Sequence, residues 1–352
     1  MTEATDSTTL VVRPAGRGDV EGLFRLAQAA GSGMTNLQPD RILLAERLIA
    51  TEAALLDADF RARGVPIFFV VERVGRGGPA PGEPIVGSAL IFPRIGVEWP
   101  FYSYRMTRQA QAHKALNKTV AHNMLVLAND FDGQAEVGGL FVDAVARGAA
   151  AGRLAARSRY LFMAQHRPWF GRQVISDMRG YQDESGSSPV WEALGREFYD
   201  MDFADADRMN ALAGNQFIAD LAPKHPIYTR LLPTAAREAL GRPHDDGRRA
   251  MALLIEEGFR FEGYVDIFDG GPTLFANIDD LKAVRENRRS RVGAVRPDIG
   301  AADQLVSAGA GAAFRAARGG LTAGADGGVD LEQTLAAALG VKAGDWVRHV
   351  AF

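Results

Sequence analysis

The run Glu136-Val137-Gly138-Gly139-Leu140-Phe141-Val142-Asp143, continued by Ala144-Val145-Ala146-Arg147-Gly148-Ala149-Ala150-Ala151-Gly152-Arg153-Leu154, joins a strand to a helix through a loop of small residues. The first half is apolar and β-branched enough for a strand, and the second opens a helix expected over Ala151–His166. Small side chains let the backbone close on a ligand. The first N–H groups of an α-helix have no intrahelical partner, so such a start can receive an anion such as a pyrophosphate. Small residues at a helix start also serve helix packing, and the stretch alone leaves both readings open. No Gly-Lys-Ser/Thr follows, which excludes a Walker loop.

Upstream, residues 1–9 read as a disordered tail and Leu10–Arg13 as a short strand. Pro14 follows, then a helical spacing from Asp19 through Val20, Leu23, Phe24, Leu26 and Ala27. A second helix is expected over Pro39–Arg63, then strands over Ile67–Val74 and Pro84–Phe92, separated by the Gly/Pro-rich loop Gly75–Gly82. The stretch around Pro100–Arg105 reads as irregular. Downstream, Val174–Met178 reads as a strand and Val190–Phe198 as a short helix closing with Gly195. Ala250–Glu257 reads as a helix stopped by Gly258, and Tyr264–Phe268 as a strand. The order is a mixed α/β layout rather than a regular βαβ repeat.

Arg285, Arg288, Arg289, Arg291 and Arg296 cluster beside Gly293, Pro297 and Gly300, which reads as a solvated linker over 285–300. The remaining residues, 301–352, read as a small β module ending in a strand near Trp346–Val350. The expected division is a main domain over 10–200, an extension over 201–284, the linker and the C-terminal module.

The 352 residues include no cysteine, which excludes disulfides, thiolate metal sites and a cysteine nucleophile. Forty basic against forty-three acidic side chains leave a net charge of −3, so no basic field recruits nucleic acid or an anionic membrane. The start, MTEATDSTTL, lacks a basic n-region and an apolar h-region. No apolar run approaches the ~18 residues of a transmembrane helix. A soluble, cytoplasmic protein without nucleic-acid or membrane partners is expected.

Of the six histidines, no two lie at metal-ligand spacing with a carboxylate between them, so no metal site is expected. His166 ends an apolar helix face, and His225 sits in the rigid turn Pro223-Lys224-His225-Pro226. His244, in Gly241-Arg242-Pro243-His244-Asp245-Asp246, lies ahead of a helix. A nearby aspartate can orient such an imidazole for proton transfer, or Asp245 and Asp246 can cap the helix. Phe101-Tyr102-Ser103-Tyr104-Arg105 sets one guanidinium among aromatics, suited to clamping a carboxylate and equally compatible with a surface arginine. A Gly-x-Ser-x-Gly elbow is absent, which removes an α/β-hydrolase nucleophile.

Several phrases together are similar to the arginine N-succinyltransferase family: Pro100–Arg105, Leu161-Phe162-Met163-Ala164-Gln165, Met178-Arg179-Gly180, Ser188–Gly195, Met201–Asp207, Phe217–Tyr228 and Glu257–Arg260. The strongest is Tyr264-Val265-Asp266-Ile267-Phe268-Asp269-Gly270-Gly271-Pro272-Thr273-Leu274. The match is collinear over about residues 10–290, with a fainter echo at the C-terminus. The spacing Arg147-x-x-Ala150-x-Gly152 also resembles the pyrophosphate-binding pattern of GNAT acetyltransferases, with Ala150 where glycine is usual.

The resemblance implies a GNAT-like α/β fold, with an extension or degenerate second half, that transfers succinyl from succinyl-CoA to the α-amino group of L-arginine. It implies no permanently bound cofactor, with succinyl-CoA as co-substrate, and a homo-oligomer such as a dimer. By position it places the proton-donor histidine on His244 and a succinyl-CoA contact on Leu140, with Arg147, Ala150 and Gly152 as the phosphate loop. Glu136 is a candidate general base beside water. Arg105 and Asp266 are candidates for the arginine carboxylate and guanidinium. The chain departs from the family pattern at Gly138-Gly139, where Cys-Thr is usual, at Ala149-Ala150-Ala151-Gly152 in place of Gly-Gly-Asn-Gly, and at Pro243 and Asp245 around His244. Ornithine or another amine and acyl-CoA pair, and a catalytically silent subunit, are the alternatives.

Overall fold

Strand β1 (Thr9–Pro14) opens the chain, followed by helices α1 (Val20–Ala30), α2 (Arg41–Leu56) and α3 (Ala58–Ala62), then strands β2 (Ile67–Val74) and β3 (Ile85–Phe92). A hairpin of β4 (Ser103–His113) and β5 (Lys118–Ala128) precedes β6 (Ala135–Val142), helix α4 (Ala151–Gln165) and β7 (Gln173–Asp177). Next come α5 (Arg196–Tyr199), α6 (Gln216–Leu221), β8 (Ile227–Tyr228), α7 (Thr234–Ala239), α8 (Arg248–Glu257), β9 (Arg260–Val265) and β10 (Pro272–Asn277). The chain closes through α9 (Lys282–Glu286), β11 (Arg288–Arg296), β12 (Asp303–Ala308), β13 (Arg315–Ala323), β14 (Val329–Glu332), α10 (Gln333–Leu339) and β15 (Trp346–Ala351). This is a computed structural model, and it describes residues 9–30, 34, 36–75, 85–146, 150–203, 205–206, 209, 216–300, 303–324 and 327–352. The N-terminal tail, most of the loop after Gly75, Pro84 and Arg147 lie outside the described residues.

Two compact units emerge, and they do not follow the sequential division expected. The first combines Met1–Pro93, Val137–Arg172 and Ile278–Phe352; the second combines Arg94–Glu136 with Gln173–Asn277. In the first unit β2 and β3 are buried along nearly their whole length, which is why both read as continuous apolar runs. Helices α1 and α2 lay Leu23, Leu26, Leu44 and Leu48 against Phe68, Val70 and Leu90. Phe162 of α4 meets Phe69 and Phe314 edge to face, at centroid distances of 5.1 Å each.

The C-terminal strands of this unit close a ring, β12–β15–β11–β14–β13 and back to β12. Closure leaves these strands no free edge, and α10 plugs the interior with Leu335, Ala336 and Leu339 against Val292, Val306, Leu331 and Val347. The linker expected over 285–300 is therefore corrected: Arg288–Arg296 is a ring strand. Three of its four arginines are spent locally, Arg296 on Asp330 at 2.6 Å, Arg291 on the carbonyl of Gly344 and Arg289 over Trp346.

In the second unit the strand order is β6, β7, β10, β9, β4, β5, β8, with β6 and β7 parallel and the other neighbours antiparallel. The irregular stretch expected near Pro100–Arg105 instead enters the long β4–β5 hairpin, paired from Ser103↔Ala128 to His113↔Lys118. The distal half of β4 is exposed on both faces and so lacks the alternation that marks a half-buried strand, and Asn117 closes the hairpin at φ 45°. Trp191 is buried and donates through Nε1 to the carbonyl of Met201, anchoring a cluster with Tyr104, Tyr199, Val265 and Phe268.

Two other boundaries move for local reasons. The helix expected over Pro39–Arg63 breaks at Asp57, whose extended backbone and carboxylate cap α3 by accepting from the N–H of Asp59. The strand expected over Tyr264–Phe268 ends at Val265, because Asp266 Oδ1 accepts from the N–H groups of Phe268 and Asp269 and turns the chain. The helix expected to close at Gly195 continues to Tyr199. Among the described residues no helix is long and apolar enough to cross a membrane, and no group of His, Asp and Glu is arranged to hold a metal ion.

Candidate active site

The Asx turn after β9 begins a network of carboxylates in the second unit. Asp266 caps the turn, and Asp269 accepts from the N–H of Gly271 at 2.9 Å through Oδ1 and from the N–H of Gly180 at 2.7 Å through Oδ2. Gly180 follows β7, whose last residue, Asp177, accepts from Thr273 Oγ1 at 2.5 Å. A Cβ at Gly180 would collide with Asp269, and one at Gly271 with the backbone of Met178, so these turns interlock only through glycine. Glu136, beside Ile175 in the β6–β7 pairing, completes the group.

Burial is the largest influence on all four acids, and it opposes their ionisation. Glu136 is pushed up to about 8 by burial and by Asp177, and Asp177 to about 7 by burial and by Asp269. Asp266 is raised well above the usual carboxylate range, by burial first and then by Asp269 and Asp177. Asp269 is raised less far because the amides of Gly180 and Gly271 and the nearby Arg179 stabilise its charge. Glu136, Asp177 and Asp266 are enclosed by protein yet keep some surface open to water. Crowded carboxylates in that setting favour a cationic guest or a proton shuttle.

His244 stands on the loop next to this network. Its N–H donates to the carbonyl of Arg179 at 2.8 Å, and the preceding Pro243 bridges to Gly180. The imidazole, 23% exposed, accepts through Nδ1 from the N–H of Asp246 at 3.3 Å. That bond puts the proton of the neutral ring on Nε2. The carboxylate of Asp246 lies 3.6 Å from Nδ1, in place to meet an N–H there if the ring is charged. Neither Asp245 nor Asp246 caps the following helix as expected: His244 itself caps the turn Asp245–Gly247, and Asp245 pairs with Arg248 at 2.7 Å.

Asp266, Glu136 and His244 therefore share the second unit, as does Arg105, but Arg105 is otherwise engaged. It sits 3.6 Å from Asp130 and over the ring of Tyr264, whose hydroxyl donates to the same carboxylate at 2.7 Å. Sequence reasoning did not single out Asp177 or Arg179. Asp177 looks like the polar end of an ordinary strand, and only its placement opposite Thr273 gives it weight.

The remaining positions lie in the first unit. Within β6, Gly139 has φ 56°, and a Cβ there would fall 2.1 Å from Leu90 Cδ1. Its carbonyl accepts from Ser88 Oγ, and that of Gly138 from the buried Arg159. A left-handed glycine departs from extended backbone geometry and turns the chain locally beside Leu140. Thus Gly139, a departure from the family pattern, suits a left-handed backbone that strains other residues, and any side chain there would also displace Leu90.

Helix α4 follows. Ala150 caps it in a left-handed conformation, φ 59° and ψ 14°, and a Cβ at Gly152 would meet nothing within 4 Å. The open space at Gly152 suits a close-lying phosphate, whereas Ala150 carries the strain that glycine avoids. Replacing Ala150 with glycine should stabilise the protein by about 0.5–1 kcal/mol, a rise in Tm of about 1–2 °C by thermal melting. A lower Tm would show that residue 150 does not hold this conformation.

Comparison with known proteins places these features in context. Residues 10–283 match the family described as arginine N-succinyltransferase beta subunit, and residues 288–351 match that family's C-terminal domain. The chain is 37% identical over 285 residues to arginine N-succinyltransferase subunit beta of Pseudomonas aeruginosa, covering 79% of this chain and 80% of that one. It is 39% identical over 284 residues to the arginine N-succinyltransferase of Yersinia pseudotuberculosis, covering 80% and 78%. The solved structure of arginine/ornithine succinyltransferase subunit AI from Pseudomonas aeruginosa superposes with a TM-score of 0.84 at 32% identity, covering 98% of this chain and 99% of that one.

Proposed function

The chain belongs to the arginine N-succinyltransferase family, a family of acyltransferases with a GNAT-like α/β fold, and from that premise we propose that it transfers succinyl from succinyl-CoA to the α-amine of L-arginine. The observation that carries this reading is the carboxylate network of Glu136, Asp177, Asp266 and Asp269 beside the His244 loop. An acceptor with two cationic groups needs such a site, and Asp266 is our choice for the guanidinium.

Glu136, or water, takes a proton from the α-ammonium. The neutral amine then attacks the thioester carbonyl carbon directly, without an acyl-enzyme, as a chain with no cysteine permits. The backbone N–H of Leu140, next to the left-handed Gly139, is assigned to the developing oxyanion, a contribution of about 3–4 kcal/mol for one donor. The attacking nitrogen releases its second proton to solvent, and as the tetrahedral intermediate collapses the C–S bond breaks and His244 gives a proton to the CoA thiolate. The start of α4 at Ala150 and Gly152, with Arg147, is assigned to the pyrophosphate of the donor. Arg105 remains our candidate for the arginine carboxylate, which requires it to exchange Asp130 for substrate.

The same network suits ornithine, which also carries two cations, and the Pseudomonas aeruginosa structure is named for both amino acids. Two relatives are named as subunits, beta in one case and AI in the other, which supports a multi-subunit assembly for this chain. Thiol release separates the readings, because in this cysteine-free protein a thiol reagent sees only liberated CoA. Release is expected with succinyl-CoA plus arginine, and not with acetyl-CoA. Preference for ornithine or another donor would move the substrate. No release from folded, CoA-binding protein would leave a silent subunit.

A further inference from the structure

Apart from the acid network, the second unit carries a recess of about 470 Å³, within the range of small-molecule sites. Four elements far apart in sequence build it. Arg108 comes from β4, His122 and Asn123 from β5, Arg230 from the turn after β8, and Arg237 from α7. Met106 and Leu240 form its apolar side. No residue lining it is acidic.

The three guanidiniums are uncompensated. Arg237 donates to the hydroxyl of Thr234, a neutral partner. Arg108 and Arg230 have no hydrogen bond or ion pair to any described residue. Several other arginines of this chain pair with acids, as Arg13 does with Asp19 and Glu72, Arg196 with Glu192 and Asp202, and Arg167 with Asp279. Three like charges drawn to one concavity repel, and a bound anion is what relieves that repulsion. Guanidinium forks match carboxylate and phosphate oxygens in two-point geometry. The chain's net charge of −3 shows that the basic character is local to the recess rather than a general field.

We propose that the recess lined by Arg108, Arg230 and Arg237 is a binding site for a small organic anion carrying at least two negative charges, a polycarboxylate or a phosphate ester. Its walls share no residue with the carboxylate network or with the α4 start. The bounded volume suits a compact ligand, whereas a nucleic acid needs an extended basic track with stacking aromatics.

Titration calorimetry and thermal melting of the full chain test this with citrate, with glycerol 3-phosphate, and with sodium chloride at matched ionic strength. Saturable binding and a raised Tm are expected with citrate or with glycerol 3-phosphate, and the better of the two identifies the source chemistry. Affinity should fall with added salt. The exposed substitutions Arg108→Ser and Arg230→Ser should each weaken binding by about tenfold or more, while thiol release at saturating substrates stays at the parent level. Equal responses to all three solutes, or binding unchanged in both folded variants, would overturn the proposal.

Discussion

Replacing His244 with alanine lowers kcat by about 10²–10⁴-fold and leaves the affinity for succinyl-CoA nearly unchanged. The expectation follows from the ring's setting. Nδ1 is held by the N–H of Asp246, so the group presented elsewhere is Nε2 with its proton. Losing that proton donor leaves the thiolate to depart unprotonated, a penalty paid in the transition state and not in binding. Alanine also removes the cap of the turn Asp245–Gly247, so a second substitution is needed to separate chemistry from structure. His244→Asn supplies another side-chain acceptor for the Asp246 N–H and restores a good cap, yet carries no titratable proton. Both variants should lose turnover alike, with the asparagine variant melting closer to the parent. Near-parental turnover in His244→Asn would remove proton donation from the role of this residue.

Glu136→Gln moves activity and stability in opposite directions. With its carboxyl pushed up to about 8, Glu136 is largely protonated at neutral pH, and its capacity as a base grows as pH rises through about 8. The parent's kcat/KM for the amine should climb over that interval. The glutamine variant should lose about 10²-fold or more and lack this part of the climb. Stability runs the other way. The native carboxyl keeps a proton that the unfolded chain releases near its ordinary value of 4.5, so the fold binds more protons than the unfolded state between about pH 4.5 and 8. Native stability therefore falls as pH rises across that window. Glutamine carries no such charge, so the variant should melt higher than the parent at pH 8, and the gap should close as pH falls to 4.5. Thermal melts from pH 4.5 to 8.5 check the sign. A variant that melts lower at pH 8 would show that the glutamate is stabilised as an anion.

These opposing expectations reflect what sequence could and could not disclose about the site. The strand-to-helix run from Glu136 to Leu154 was legible because its apolar residues and its small-residue loop are local signals, and β6 and α4 fall where they point. The left-handed backbone of Gly139, packed against Leu90 of a different strand, was not legible. The β4–β5 hairpin escaped notice because the distal half of β4 meets mainly β5 and solvent and so shows no alternating apolar face. Arg288–Arg296 misled in the same way: arginine, glycine and proline suggest a linker by composition, while ring closure places Val292 inside.

Site chemistry was hidden more deeply. Asp177, Asp266, Asp269 and Glu136 span more than a hundred residues of sequence, and their electrostatic coupling exists only once β6, β7 and the turn before β10 are assembled. Family likeness supplied His244, but the atom that carries its proton came from the N–H of Asp246. The arginine recess left no sequence motif at all, because its three arginines come from three separate elements.

Direct succinyl transfer to the α-nitrogen is the central claim, and the product itself tests it most closely. Arginine labelled with ¹⁵N at the α position, incubated with succinyl-CoA and the full chain, should give one amide ¹⁵N resonance for each CoA released, with the guanidino nitrogens unmodified. Free succinate and CoA with the α-amine intact, or an amide on another nitrogen, would contradict the account.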